Sequence, residues 1–264
     1  VIPLKDNGEL DYESFLKKLS KKTKVVFVNH VSNALGTINP IKKIISESHK
    51  HGAAVLIDGA QASSHLKADL QDLNVDFYTT SAHKLCGPTG IGMLYGKKEW
   101  LEKLPPYQGG GEMISEVTFE KTTYAELPNK FEAGTPNIVG AIGFGNALDY
   151  LNEVGFEKIE SYETELLDYA TARLKSIPNL KIYGEAKNKT SVISFNIGEL
   201  HSYDLGTILD KYGIAVRTGQ HCAQPVMDFF GISGTVRASF SFYNTKEEID
   251  YFYESLKKAV AMLS

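Results

Sequence analysis

Cysteine is almost absent: the 264 residues hold two, Cys86 and Cys222, far apart and in no C-x-x-C pair. A disulfide framework and a structural zinc site are set aside on that ground, and a reducing, cytoplasmic setting is expected. No run of about 18 apolar residues occurs, so no membrane-spanning helix is expected. Basic runs are missing and the formal net charge is −4, which gives nucleic-acid binding little support. Internal repeats and low-complexity tracts are missing too. Lys5, Asp6 and Glu9 interrupt the opening residues, so no secretory leader is expected within them.

What is present is ordinary globular material, 42% hydrophobic and 23% charged, enough for one large domain or two moderate ones. Lys24–Asn29, Ala53–Ile57, Val75–Thr79 and Gly90–Tyr95 are short apolar runs that read as buried strands. Pro40 opens, and Gly52 closes, a helical pattern of Ile41, Ile44, Ile45 and His49. Strands alternating with helices predict an α/β fold on a largely parallel sheet, with ligands at the carboxyl ends of the strands. Asn29, His30, Asp58 and Ser81 fall at or just past such ends. Pro105 to Pro136 is a long stretch of weak periodicity, a pattern common in functional or mobile loops. Two long helices are predicted over Asn137–Asn152 and Phe156–Ile177. An α+β tail follows, with strands near Leu180–Tyr183, Ser191–Asn196, Ala215–Arg217 and Val236–Ser241 and helices at Tyr203–Tyr212 and Lys246–Leu263. A domain boundary is expected near Asn152, dividing the chain into 1–152 and 153–264.

Four constellations carry chemistry. Asp58-Gly59-Ala60-Gln61 ends one strand, and Ser81-Ala82-His83-Lys84 ends the next. Singly, each reads as a strand end and a solvated turn. In this order they suit a cofactor whose aldehyde needs a lysine amine and whose ring nitrogen needs an acid, which is pyridoxal 5′-phosphate. Arg217-Thr218-Gly219-Gln220-His221-Cys222 is the third. Its thiol reads either as a small buried residue or as a nucleophile favoured by His221 and the helix expected from about Pro225. Arg217 and Arg237, at tail strands, read either as members of internal ion pairs or as a fork for a substrate carboxylate. Cys86, in the Leu85-Cys86-Gly87-Pro88 turn, reads as structural.

Six motifs, H-V-S-N-A-L-G (30–36), D-G-A-Q (58–61), S-A-H-K (81–84), G-P-T-G-I-G (87–92), F-E-A-G-T-P-N (131–137) and R-T-G-Q-H-C-A-Q-P (217–225), run in order through the chain. Together they resemble the SufS-type, second-group cysteine desulfurases of the class-V aminotransferase-like, fold-type-I pyridoxal phosphate enzymes. The resemblance implies that Lys84 is the Schiff-base lysine and proton shuttle, Asp58 the pyridinium partner and Gln61 the donor to the ring's phenolic oxygen. It implies Ser81 and His83 as phosphate ligands and Asn33 near the ring and the substrate carboxylate. Arg237 is implied as the carboxylate clamp with Arg217 beside it, and Cys222 as the nucleophile that takes sulfur from L-cysteine and leaves L-alanine. Thr135 matches a threonine that reaches the phosphate in a neighbouring subunit, implying a homodimer. A SufE- or SufU-like acceptor and iron–sulfur cluster assembly are the implied destination of the sulfur.

The resemblance also implies that the family's large domain begins upstream of Val1, with a histidine that stacks on the ring and a small-residue turn at the phosphate. Alternatives to the desulfurase are a selenocysteine lyase, a class-V aminotransferase, for which Cys222 has no use, and a non-catalytic fragment.

Overall fold

The computed structural model of the chain describes residues 1–263. The chain opens with α1 (Tyr12–Lys18), started by Asp11, whose carboxylate accepts from the Ser14 backbone N–H. It continues through β1 (Val25–Asn29), α2 (Ile41–Lys50), β2 (Ala54–Asp58), the single turn α3 (Leu70–Leu73), β3 (Phe77–Ser81), β4 (Gly92–Gly96) and α4 (Lys98–Lys103). The strands form one sheet in the order β1-β2-β3-β4. The first three are parallel and β4 is antiparallel to β3. The reversal follows from length: residues 82–91 are fewer than the dozen or so that a parallel crossover needs.

Side chains alternate across this sheet. Val26, Val28, Val55, Ile57 and Tyr78 pack with Phe15 of α1 and with Ile41, Ile44 and Ile45 of α2. The opposite face, carrying Val25, Phe27 and Leu94, stands open.

Residues 105–136 hold a small hairpin of β5 (Ile114–Val117) and β6 (Thr122–Tyr124), with a short turn at Asn129–Phe131. Helices α5 (Ile138–Val154) and α6 (Phe156–Lys175) then meet at Gly155, which adopts φ 90°. The boundary expected near Asn152 therefore falls in the last turn of α5.

The tail builds a second sheet from β7 (Leu180–Tyr183), β8 (Val192–Ile197), β9 (Arg217–Gly219) and β10 (Thr235–Ser239). Its order is β7-β8-β10-β9 and every pairing is antiparallel. Helix α6, with α7 (Ser202–Lys211) and α9 (Lys246–Leu263), covers one face over a core of Leu166, Leu174, Ile193, Phe195, Leu205 and Leu256. The remaining helix, α8 (Gln224–Phe230), follows the Cys222 loop. The other face of this sheet lies against the loop after β1: Ser194 Oγ donates to the Ala34 carbonyl, and the Thr190 N–H to the Gly36 carbonyl. Gly36 is required there, because it takes φ 76° and a Cβ would sit 3.0 Å from Val192 Cβ and 3.1 Å from the Thr190 carbonyl oxygen.

Candidate active site

Asp58 ends β2 in register with Asn29 of β1 and Thr79 of β3. Its carboxylate is exposed and accepts from the Ala60 N–H at 2.9 Å. Ser81 ends the adjacent strand β3, half-buried. The chain then makes one tight turn, Ala82–Lys84, pinned by the fully buried Ala82. The Ala82 carbonyl accepts from both the Leu85 and the Gly87 N–H. A Cβ on Gly87 would sit 2.9 Å from that carbonyl oxygen, so glycine is needed for the turn that presents Lys84.

Lys84 is half-buried and makes no hydrogen bond or ion pair among the described residues. It lines a cavity of about 280 Å³ together with Gln61, His83, Ser239, Ser241 and Tyr243. Cys86 lines it too, exposed and with φ 59°, so this thiol stands at the cavity rather than inside the protein. Partial burial pushes the Cys86 pKa up.

A second cluster surrounds Cys222. His221 and Cys222 both adopt positive φ, 56° and 57°, after Gly219 at 97°, and this sharp turn leaves the thiol exposed. Arg217 Nη2 donates to Cys222 Sγ at 3.2 Å. Arg237 lies directly across from Arg217 in the β9–β10 pairing. Arg237 Nη1 donates to the Asn33 carbonyl at 2.7 Å, and its Nε is buried with no partner. Neither arginine forms an ion pair among the described residues, so the internal salt bridge that the sequence left open is not made. Burial, then the charge of Arg217, pushes the Arg237 guanidinium below its ordinary value. Two guanidinium groups at one point, with no acidic partner among the described residues, can receive an anion.

Two expectations change in detail. His221 is not a cationic neighbour of the thiol. It is 2% exposed, its Nε2 lies 2.8 Å from Thr235 Oγ1, and burial, then Arg237 and Arg217, lower its pKa to about 4. Arg217 is the polar partner of Cys222 instead. Asn33 is a strap as well as a candidate ligand: its Nδ2 donates to the His221 carbonyl at 2.6 Å and ties the Cys222 loop to the first sheet.

Lys84, Gln61 and His83 thus share one cavity, while Cys222, Arg217, Arg237 and Asn33 form the neighbouring cluster. Strand β10 joins them, with Arg237 in the cluster and Ser239 at the cavity rim. Thr135, exposed on the loop before α5, lies in neither. Sequence reasoning missed Ser239, Ser241, His65 and Glu163. For Glu163 a signal existed: it is an acid on the buried stripe Ile159, Leu166, Ala170 of α6.

Residues 1–252 match the aminotransferase class-V family. The chain belongs to that family. Among its relatives, a probable cysteine desulfurase of Halalkalibacterium halodurans is 50% identical over 257 residues, covering 97% of this chain and 63% of the relative. A cysteine desulfurase of Shigella sonnei is 48% identical over 264 residues, all of this chain and 65% of the relative. The crystal structure of the Escherichia coli cysteine desulfurase CsdA superposes with a TM-score of 0.95 at 38% identity, covering 100% of this chain and 65% of that one. The apo cysteine desulfurase of Thermococcus onnurineus NA1 gives 0.94 at 39%, covering 99% and 66%. The chain therefore spans less than two thirds of the length of the curated relatives it matches. Its fold is the fold-type-I α/β arrangement of these structures, as the sequence predicted.

Class-V cysteine desulfurases use pyridoxal 5′-phosphate, and the donor set here fits that group. An unpaired lysine amine stands on a glycine-dependent turn, with an imidazole, an amide and hydroxyl groups around the same cavity. A carboxylate closes the neighbouring strand.

Proposed function

We propose that this chain forms the cofactor-lysine and nucleophile portion of a pyridoxal phosphate-dependent cysteine desulfurase, which moves sulfur from L-cysteine to Cys222 and releases L-alanine. One observation carries the reading: Arg217 donates to the exposed Cys222 sulfur at 3.2 Å, beside an Arg237 that has no acidic partner among the described residues. A thiol next to two guanidinium groups that can receive a carboxylate is what a transfer from an amino acid's own sulfur requires, because the substrate carboxylate and the attacking sulfur are then positioned together.

When bound, pyridoxal phosphate supplies an electron sink for negative charge at the substrate's Cα. Lys84 holds that group, takes the Cα proton and returns a proton to the carbon skeleton. Asp58 partners the ring nitrogen, Gln61 donates to the ring oxygen, and Ser81 and His83 serve the phosphate. Arg237, with Arg217 nearby, binds the substrate carboxylate and directs the substrate's sulfur toward Cys222. The Cys222 sulfur attacks that sulfur: an S–S bond forms, the substrate's C–S bond breaks and its electron pair stays with carbon. Protonation of the carbon completes L-alanine and leaves a persulfide on Cys222.

Residues 1–152 carry the cofactor side on this reading, and 153–264 the nucleophile and the carboxylate clamp. The exposure of Thr135 suits a homodimer in which it reaches the phosphate in a second copy. Likewise, the exposed thiol suits delivery to a SufE- or SufU-like acceptor for iron–sulfur cluster assembly in the cytoplasm. In the full-length protein, Lys84→Ala is expected to abolish the visible absorption of bound cofactor. Cys222→Ala is expected to keep that absorption and to lose alanine production from cysteine. Continued alanine production by Cys222→Ala would remove the nucleophile, and unchanged absorption in Lys84→Ala would remove the lysine.

A further inference from the structure

At the back of the Lys84 cavity, which His65 also lines, His65 and Glu163 form a buried polar pair that no step above uses. Glu163, on α6, is 3% exposed and sits among apolar neighbours. Its carboxylate is fully engaged. Oε2 accepts from His65 Nδ1 at 2.6 Å, and Ser191 Oγ, which donates to the Phe240 carbonyl, lies 3.2 Å away. Oε1 accepts from Ser241 Oγ and from the Phe242 N–H, each at 3.2 Å. His65, 7% exposed, belongs to the turn that follows β2, and its Nε2 lies 3.1 Å from Nε2 of Gln61.

The directions of these bonds follow from the donor inventory. A carboxylate only accepts, so Nδ1 of His65 carries the hydrogen. His65 Nε2 faces the amide nitrogen of Gln61, which only donates, so Nε2 is the acceptor of that bond. An amide nitrogen has two hydrogens. One is spent on His65, and the other stays with Gln61 at the rim of the Lys84 cavity. Without His65 the amide is free to rotate by half a turn and present its carbonyl instead.

We infer that Glu163 and His65 are positioning residues for Gln61, locking its amide so that an N–H rather than the carbonyl is held toward an electron-rich oxygen of the ligand in the Lys84 cavity. That ligand oxygen is the ring oxygen of pyridoxal phosphate, and in this the inference rests on the function proposed above. The lock has a second consequence. Glu163 and Ser241 come from the tail, whereas His65 and Gln61 come from the first sheet's connections. Gln61 is therefore oriented only while the two parts of the chain are docked, which ties the cofactor's electronics to assembly of the cleft.

The test compares the holoenzyme with H65N, Q61L and H65N/Q61L, reading the wavelength of the visible cofactor band and the dissociation constant for pyridoxal phosphate. Asparagine at 65 keeps a donor for Glu163 but does not reach Gln61. H65N and Q61L are each expected to move the band in the same direction and to weaken cofactor binding roughly tenfold, the scale of one lost hydrogen bond. The double variant is expected to go no further than Q61L alone. H65Q, whose amide oxygen reaches the place of Nε2, is expected to restore the parental band, an effect that packing alone does not give. If H65N does not fold, H65F makes the same cut with the ring's shape kept. A parental band and affinity in the His65 variant, with Q61L shifted, overturns the lock and leaves the function standing. Additive effects in the double variant overturn it equally. A parental band in Q61L, with Lys84→Ala still colourless, removes Gln61 as donor and the lock with it. A wild-type protein with no cofactor band overturns both.

Discussion

The two sheets of this chain are built to opposite standards of enclosure. In the second, Ile193, Phe195 and Ile197 of β8 are buried under α6, α7 and α9, while Val192 and Ser194 on the reverse side are sealed by the loop around Ala34 and Gly36. In the first, Val26, Val28, Val55 and Ile57 are enclosed by α1 and α2, but Phe27 is 68% exposed and Leu94 57%. A mainly parallel sheet ordinarily has both faces covered. The contrast shows which of the two sheets this chain encloses with its own residues. The second sheet holds a complete core and offers strands β9 and β10 to Cys222 and the arginines. The first holds half a core and offers its strand ends to Lys84 and Asp58.

The largest expected effect tests that contrast directly. Phe195→Ala in the enclosed sheet is expected to cost about 3–5 kcal/mol of unfolding free energy, from lost burial plus an unfilled cavity. Phe27→Ala on the open face is expected to stay within about 0.5 kcal/mol for this chain. Denaturant unfolding of both variants measures it. Equal losses would break the comparison, since they would mean that Phe27 is as well enclosed as Phe195.

The next effect asks whether the two sheets unfold together. Each part buries one histidine held at a pKa of about 4: His30 by burial, beside the Tyr78 hydroxyl, and His221 by burial and the neighbouring arginines. The unfolded chain protonates both near their ordinary value of about 6.5. The folded chain binds fewer protons than the unfolded one between about pH 6.5 and 4, so stability is complete above that window and falls as pH drops through it. The loss per histidine is at most on the order of 3 kcal/mol. Replacing either by Phe is expected to flatten the slope. If the chain unfolds as one unit, each replacement flattens the single transition; if it unfolds as two, H30F flattens one transition and H221F the other.

The sequence carried the strand ends well, because Asp58, Ser81 and Lys84 sit where apolar runs stop and the chain must turn. It carried α9, Lys246–Leu263, to the residue, since the buried positions Ile249, Phe252, Leu256 and Ala259 repeat at helical spacing. Strand β9 came later than expected, at Arg217–Gly219 rather than Ala215–Arg217, because three residues offer too little pattern to fix a register. What local pattern does not hold is who meets whom across long separations. That His221 turns inward to Thr235 and leaves Cys222 to Arg217 is decided by the loop's positive φ angles. That Glu163 reaches His65 is decided by how α6 docks. Neither has a neighbour in sequence to announce it.

The smallest effect sharpens the comparison within a single helix. Helix α5 carries exposed Ile138, Val139 and Ile142 in its first turns and buries Phe144, Ala147 and Leu151 further along one stripe. Its first turn is held by Asn137, whose side-chain oxygen accepts from the Gly140 N–H at 2.9 Å. Where tertiary packing is thin, a helix end depends on its cap, because the first N–H groups have no other intrahelical partner. Asn137→Ala is therefore expected to cost about 1 kcal/mol locally, raising amide hydrogen exchange over residues 140–142 about fivefold. Exchange at Leu151 is expected to stay as it was, since that end is fixed by its packing with Ile159 of α6. Equal acceleration at both ends would mean that α5 opens only as a whole, and that its capped first turn is as firmly held as the turn at Leu151.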